Sequence, residues 1–300
     1  MNNDINKVLI LGYGEMGHAL EYLLQDRCQL NIWQRHPVND HCTDNLAQAA
    51  RDCQLVLYCI PAIPVYSLAK QLKPLIDPIV PSLCIAKGLD ASGRPALEAM
   101  AQGYNDDHIR GALYGPMISE EIVAGKPAFA QCVVNNADAM TSIFGLFQDS
   151  TLHLTPCTDA RGLSWSVILK NVYAMGFGIC DALQFGDNVR GYLASAALNE
   201  MQEIVTTLGG DANTVMGLGG LGDLITTATS KGSHHYALGF QIVNGEKNLS
   251  GEGLHTLNMI VQHQLLSLSD YPLMSLINGL ISNDQDIKAR VEEYLYGRGI

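Results

Sequence analysis

Residues 7–17 read Lys7-Val-Leu-Ile-Leu11-Gly12-Tyr-Gly14-Glu15-Met16-Gly17, and His-Ala-Leu-Glu-Tyr-Leu-Leu follows directly. An apolar run, then Gly-x-Gly-x-x-Gly, then a helical pattern is the strand–turn–helix context of a dinucleotide-binding unit. Each glycine has its own physical task there. Gly12 permits the tight turn, Gly14 lets the backbone approach a pyrophosphate, and Gly17 lets the helix pack closely on the strand. The N-terminus of that helix then presents free N–H groups to the phosphates.

The chain that follows extends this reading. A second strand over residues 30–33 ends at Gln34-Arg35-His36. An acidic residue at that place accepts the ribose hydroxyls of NAD, whereas an arginine suits the 2′-phosphate of NADP. Arg35 therefore favours NADP(H), with NAD(H) possible. Apolar strands are expected at residues 55–60, 82–86, 109–114, 128–134 and 151–155, with helices at 65–72, 95–101, 120–124 and 137–147 between them. Near-continuous apolar strands alternating with helices predict a Rossmann-type α/β domain with a mostly parallel sheet covered on both faces. Ligands of such folds bind beyond the carboxyl ends of the strands, where Pro61, Lys87 and Gly115 fall.

After about Thr158 no strand pattern recurs and helical segments dominate. Two domains are expected: residues 1–158 binding the dinucleotide, and residues 159–300, all-α, carrying substrate and catalysis, with the substrate in a cleft between them. The stretch from Trp165 to Cys180 carries one formal charge, Lys170, with Asn171 beside it. It reads as a buried helix, too short and too Gly-rich for a membrane span. A lysine in apolar surroundings has its charged form disfavoured, which suits it to proton transfer near neutral pH. The bland alternative is a core lysine whose amine reaches water. Further on, Met216-Gly-Leu-Gly-Gly-Leu-Gly-Asp223-Leu-Ile-Thr-Thr227 places four glycines before an aspartate. Asp223 reads either as a helix cap or as the partner of a buried lysine.

Composition removes several function classes. Lys and Arg number 18 against 30 Asp and Glu, a net charge of −12, and no basic patch is present for nucleic acid or an anionic membrane. Eight cysteines without a Cys-x-x-Cys pair read as free thiols in a reducing compartment, and the first residues lack an apolar signal core, so a cytoplasmic location is expected. The nine histidines show no metal-ligand spacing, and no metal is expected. The apolar helices of the second domain suit a homodimer.

Taken together, these stretches resemble the NAD(P)-dependent glycerol-3-phosphate dehydrogenases. The matching pieces run in order: Gly12-x-Gly14-x-x-Gly17, Ala86-Lys87-Gly88, Gly115-Pro116 leading into Glu120-Glu121 and Gly125-Lys-Pro127, Leu169-Lys170-Asn171, Gly178-Ile-Cys-Asp181, Gly219-Gly-Leu-Gly-Asp223-Leu-Ile-Thr-Thr227, and Glu252-Gly253. The resemblance implies reversible hydride transfer between a nicotinamide and dihydroxyacetone phosphate or glycerol 3-phosphate. It implies Lys170 as general acid and base, with Asn171, Asp223 and Thr227 completing the catalytic set. It places the cofactor against Gly12, Gly14, Glu15, Met16, Gly17, Arg35, Pro61, Lys87, Ser119 and Glu252. It places the substrate against Lys87, Gly115, Met117, Lys170, Asp223, Ser233, His234 and His235.

The chain also departs from the family's pattern. Family members carry Ser-Arg-Asn where this chain has Ser233-His234-His235, and a serine or threonine where this chain has Met117. An arginine binds phosphate bidentately and is always charged; a histidine does neither reliably. Two further readings follow: a related dehydrogenase acting on another small hydroxy or keto compound, and a nicotinamide-binding protein without turnover.

Overall fold

The structure, a computed structural model, describes residues 4–37, 40–105, 107–230, 232–282 and 286–297. The chain separates into two compact units. One comprises residues 1–90 and 94–160; the other comprises residues 91–93 and 161–300.

The first unit is built on a seven-stranded sheet in the order β2-β1-β3-β4-β5-β6-β7. The strands are β1 (Lys7–Leu11), β2 (Gln29–Trp33), β3 (Leu55–Tyr58), β4 (Ser82–Cys84), β5 (Arg110–Tyr114), β6 (Ala128–Val134) and β7 (Leu152–Pro156). Val8 to Leu11 and all of β3 are buried, as expected of strands covered on both faces. Helices α1 (Glu15–Leu24), α2 (Leu46–Ala49), α3 (Val65–Leu72), α4 (Ala96–Tyr104), α5 (Ser119–Val123) and α6 (Ala137–Phe147) connect the strands. All neighbouring strands run parallel except β5 and β6, which are antiparallel. The fold is therefore the mostly parallel, Rossmann-type sheet that the sequence predicts. From β1 the chain passes to one side to form β2 and to the other to form β3, so the strand order reverses at β1. Leu11 pairs with both Trp33 and Tyr58, which brings the carboxyl ends of these three strands level.

Several boundaries shift by one to three residues from expectation, and two of the shifts have a clear local reason. Strand β3 stops at Tyr58, two residues early: Cys59 N still donates to Leu11 O at 2.8 Å, but Pro61 has no N–H to continue the ladder. Helix α4 runs on through Gly103, because that glycine lies against α3. A side chain there would meet Ala69 Cβ at 2.6 Å and Tyr66 O at 2.7 Å.

The second unit is helical: α7 (Ala160–Ala182), α8 (Asp187–Thr207), α9 (Asp223–Thr229), α10 (His234–Val243), α11 (Glu252–Gln262), α12 (Pro272–Ser282) and α13 (Ile287–Tyr296). A 3₁₀ turn (Ala212–Met216) and a π-helical turn (Leu218–Gly222) precede α9. Helix α7 has no polar stripe; every residue from Gly162 to Cys180 is buried. It is the central helix of this unit. By length and composition alone it matches a membrane span, yet its apolar window lies wholly inside the fold. Other helices reach it through glycines. A side chain at Gly178 would strike the Tyr236 carbonyl of α10, and one at Gly253 of α11 would meet Asn171 O at 2.7 Å.

Candidate active site

In the first unit the glycine turn leaves the end of β1. Gly12 N donates to Trp33 O at 2.8 Å, and Gly12 has φ +97°, a left-handed conformation that disfavours any side chain. A Cβ at Gly12 would also meet Ile60 Cγ2 at 2.7 Å. Gly17 sits against the Gly12 carbonyl, so the helix packs tightly on the turn. Gly14 differs from both. It has ordinary extended backbone at φ −86°, and nothing lies within 4 Å of where its Cβ would stand. No protein atom demands a glycine there; the open space suits a ligand.

A cavity of about 670 Å³ opens at this point, lined by Gly12, Gly14, Gln34, Arg35 and Pro61 among others. It lies beyond the carboxyl ends of β1, β2 and β3, where the strand order reverses. Gln34 Oε1 is buried there without a hydrogen-bond partner. An unmet acceptor, an open glycine and free N–H groups at the start of α1 fit a bound dinucleotide. Glu15 and Met16 occupy the first turn of α1. Lys87, half-buried, donates from Nζ to Gly115 O at 3.0 Å. Ser119 begins α5, is buried, and donates to Glu120 Oε2 at 3.1 Å. Met117 is part of the apolar core, in one cluster with Ile122, Ala128 and Ala130.

In the second unit a separate set converges on α7. The Lys170 side chain is 6% exposed and donates from Nζ to Thr227 Oγ1 at 2.6 Å, with Asp223 Oδ1 at 3.3 Å. Asp223 and Thr227 lie one turn apart on α9, so both side chains point to the same side of the helix. Asp223 is the first residue of α9, and its carboxylate pairs with the lysine. The glycines before it have a packing reason. A side chain at Gly220 would collide with the Val215 carbonyl, and the π-helical turn they form aims Asp223 inward. Asn171, 1% exposed, follows Lys170 on α7. A buried ammonium held by a carboxylate and a hydroxyl keeps its desolvation offset and its direction fixed.

Residues 36–140 match the family described as "NAD-dependent glycerol-3-phosphate dehydrogenase N-terminus", and residues 159–292 match its C-terminus. The chain is 34% identical to a glycerol-3-phosphate dehydrogenase [NAD(P)+] of Acaryochloris marina, covering 85% of this chain and 84% of that one. It is 32% identical to the enzyme of the same name from Thermosynechococcus vestitus, over 92% and 91% of the two chains. The chain belongs to the NAD-dependent glycerol-3-phosphate dehydrogenase family. Its fold matches the crystal structure of glycerol-3-phosphate dehydrogenase from Coxiella burnetii with a TM-score of 0.84 at 23% identity, over 97% and 99% of the chains.

Within this family fold, Ser233-His234-His235 takes a form the sequence reading did not foresee. Helix α10 begins at His234, because Ser233 is its N-cap and accepts from Tyr236 N at 3.4 Å. His234 is exposed and His235 half-buried in the first turn of α10. That turn is held on α7. Tyr236 donates to Asp181 Oδ2 at 2.6 Å, while Arg190 donates to both Asp181 oxygens at 2.7 and 2.6 Å. The Asp181 carboxylate in turn pushes the Arg190 guanidinium above its ordinary range. Glu252 opens α11.

Two groups went unread in the sequence. Glu200, buried on α8, accepts from Tyr173 at 2.9 Å and from Leu273 N and Met274 N at 2.6 and 3.0 Å, capping α12. Burial, reinforced by Glu200, pushes the Tyr173 phenol well above its usual range. Its signal, a glutamate in a helix, is common to most helices. The other is a chain of contacts in the first unit. Glu21 on α1 accepts from Tyr13, between the first two glycines, and meets His41 Nε2. Burial works to raise the Glu21 carboxyl, but the bonds to Tyr13 and His41 outweigh it and hold it below its ordinary range. Among the described residues no cluster of His, Cys, Asp or Glu is arranged to hold a metal ion.

Proposed function

We propose that this chain catalyses reversible hydride transfer between NADP(H), or NAD(H), and the dihydroxyacetone phosphate/glycerol 3-phosphate pair. The observation that carries the proposal is the buried Lys170 ammonium, held at 2.6 Å by Thr227 and at 3.3 Å by Asp223. A ketone becoming an alkoxide needs a proton and nearby positive charge, and a positioned ammonium supplies both. Lys170 donates its proton to the ketone oxygen in reduction and recovers it from the hydroxyl in oxidation. Asp223 and Thr227 aim the ammonium, and Asn171 completes the buried set. When bound, the nicotinamide supplies or accepts the hydride.

Gly12, Gly14, Gly17 and the start of α1 hold the pyrophosphate in this reading, and Arg35 receives the 2′-phosphate. Glu15, Met16, Pro61, Lys87, Ser119 and Glu252 complete the cofactor set. Gly115, Met117, Lys87, Ser233, His234 and His235 form the substrate set. The first turn of α10, with its helix dipole and two imidazoles, takes the place of an arginine at the substrate phosphate. Residues 1–158 form the cofactor domain and residues 159–300 the substrate domain, in a cytoplasmic homodimer; the eight free cysteines support a reducing compartment.

One observation favours a second reading, a change of substrate. Ser233 spends its hydroxyl capping α10, and neither neighbouring side chain is a fixed bidentate cation. A spectrophotometric screen separates the readings. NADPH and NADH are each offered with dihydroxyacetone phosphate and with a panel of small ketones, using Lys170→Ala as control. Turnover of dihydroxyacetone phosphate, reduced about 10²–10⁴-fold in the control, is expected. Turnover of another ketone alone moves the assignment to the second reading. Tight nicotinamide binding with no turnover of any ketone makes the chain a binding protein. A control as fast as the parent removes Lys170 from the mechanism.

A further inference from the structure

The contacts of Glu21 join two pieces of the cofactor site that the glycine motif alone does not connect. One carboxylate oxygen takes the Tyr13 hydroxyl, and Tyr13 stands between Gly12 and Gly14 with its ring against His18 at 3.8 Å. The other oxygen meets His41 Nε2. His41 lies on the segment by which the chain returns after Arg35, and that return is tied to β2. Cys42 is buried in the core cluster, Thr43 N donates to Ile32 O at 3.0 Å, and Gln34 N donates to Thr43 O at 3.0 Å. Trp33 Nε1 donates to Asp44 O at 2.9 Å. Hydrogen bonds thus link the glycine turn to Glu21 and His41, and the backbone two residues on, at Thr43, pairs with Gln34, next to Arg35. The Glu21 side chain is 17% exposed and His41 is 55% exposed, so His41 contributes little to the core.

We propose that Glu21 is a positioning residue that sets the preference between 2′-phosphorylated and unphosphorylated dinucleotides. It does so by fixing, through His41, the segment on which Arg35 stands. The proposal rests on the reading of Arg35 as the 2′-phosphate partner. Its physical basis is preorganisation. A flexible arginine that must be ordered at binding loses part of its bidentate bond energy to conformational entropy, and a tethered backbone removes part of that loss. The link to Tyr13 acts on the turn that meets the pyrophosphate, which both nucleotides share. The two arms of Glu21 therefore have different consequences: the His41 arm discriminates, and the Tyr13 arm does not.

Fluorescence titration of NADPH and NADH against the full-length protein tests this with Arg35→Ala, His41→Ala, Tyr13→Phe and the double variant Arg35→Ala/His41→Ala. Arg35→Ala is expected to raise the NADPH Kd about tenfold or more and leave the NADH Kd within about twofold, the loss of a charge-assisted bond. His41→Ala is expected to raise the NADPH Kd about three- to tenfold, again sparing NADH, with the melting temperature within about 2 °C of the parent. Tyr13→Phe is expected to weaken both nucleotides alike. In the double variant the His41→Ala effect on the NADPH/NADH ratio should vanish, because the two residues act through one contact. Equal weakening of both nucleotides by His41→Ala, or additivity in the double variant, overturns the role of Glu21 and leaves Arg35 intact. If Arg35→Ala does not separate the nucleotides, the reading of Arg35 falls and the proposal falls with it.

Discussion

At the end of β1, three glycines within six residues shape an open turn from backbone alone. Around Lys170, three side chains from α7 and α9 form a closed cluster in which Lys170, Asp223 and Thr227 are no more than 7% exposed. In the proposed reading the turn binds through backbone N–H groups at the start of α1, and it uses the empty space at Gly14. The cluster works with charge removed from water, and it needs every partner in place. In the first, a change where no protein atom is near leaves the fold almost untouched, whatever it does to a ligand. The second is unforgiving, because each partner offsets the desolvation of another.

The largest expected effect therefore lies in the cluster. Asp223→Ala leaves the Lys170 ammonium buried without its carboxylate, and stranding one member of a buried ion pair costs about 3–5 kcal/mol. Urea unfolding is expected to show that loss, together with loss of turnover. Adding Lys170→Met to the same chain removes the stranded charge and should restore most of the stability while activity stays absent. Were the double variant as unstable as Asp223→Ala, the pair would not be the source of the loss.

Glycines separate the two regions next. Gly14→Ala places a methyl in open space, so stability should change by less than about 1 kcal/mol, while NADPH affinity falls about tenfold or more. Gly178→Ala drives a methyl into the Tyr236 carbonyl, where α7 meets α10. Overpacking of that kind costs about 1–3 kcal/mol and should leave nucleotide affinity unchanged. Thermal melting and nucleotide titration on the same two variants read both quantities. A Gly14→Ala protein that binds NADPH normally would show that no phosphate approaches this turn.

The same contrast explains which parts were legible. Gly12 to Gly17 declare themselves because turn, helix start and strand end are neighbours in sequence. The inner strands β1, β3 and β4 declare themselves because burial on both faces makes them almost continuously apolar, whereas the edge strands β2 and β7 carry polar, exposed positions. The direction of β6 is not in its composition; Ala128–Val134 is as apolar running antiparallel to β5 as it would be running parallel. Lys170 stands out as one charge in an apolar stretch, but its partner Thr227 is 57 residues away, and the choice between cap and ion pair for Asp223 depends on tertiary structure. Glu200 reaches Leu273 across 73 residues, with no local mark at either end. Ser233 is the instructive case. A serine before a helix is an N-cap signal, and Ser233 serves as one here, placing both histidines in the first turn of α10.

The smallest effect tests whether the sheet unit, whose cavity at the glycine turn is open, has an unforgiving polar interior of its own. Tyr58 and Tyr104 share a hydrogen bond at 2.6 Å, Ser82 meets Tyr104 at 3.0 Å, and the His108 ring stacks on Tyr104 at 4.3 Å and 8°. His108 is 2% exposed, and its Nε2 is buried without a partner. Burial, reinforced by Lys73 and Arg110 and opposed by Asp77 and Asp107, pulls its pKa below the ordinary histidine value. The folded protein therefore favours the neutral ring, while the unfolded chain takes up a proton near about pH 6.5. Above that pH the residue has no pH-dependent effect; below it the unfolded state binds more protons, and stability falls as the pH drops through the depressed folded value. His108→Phe keeps a stacked ring and removes the titratable nitrogen. Melting temperatures from pH 7.5 to 5 should decline less steeply in the variant than in the parent. Parallel curves would mean that the acid sensitivity of the sheet unit resides elsewhere, and that its interior, like its glycine turn, is indifferent to a single charge.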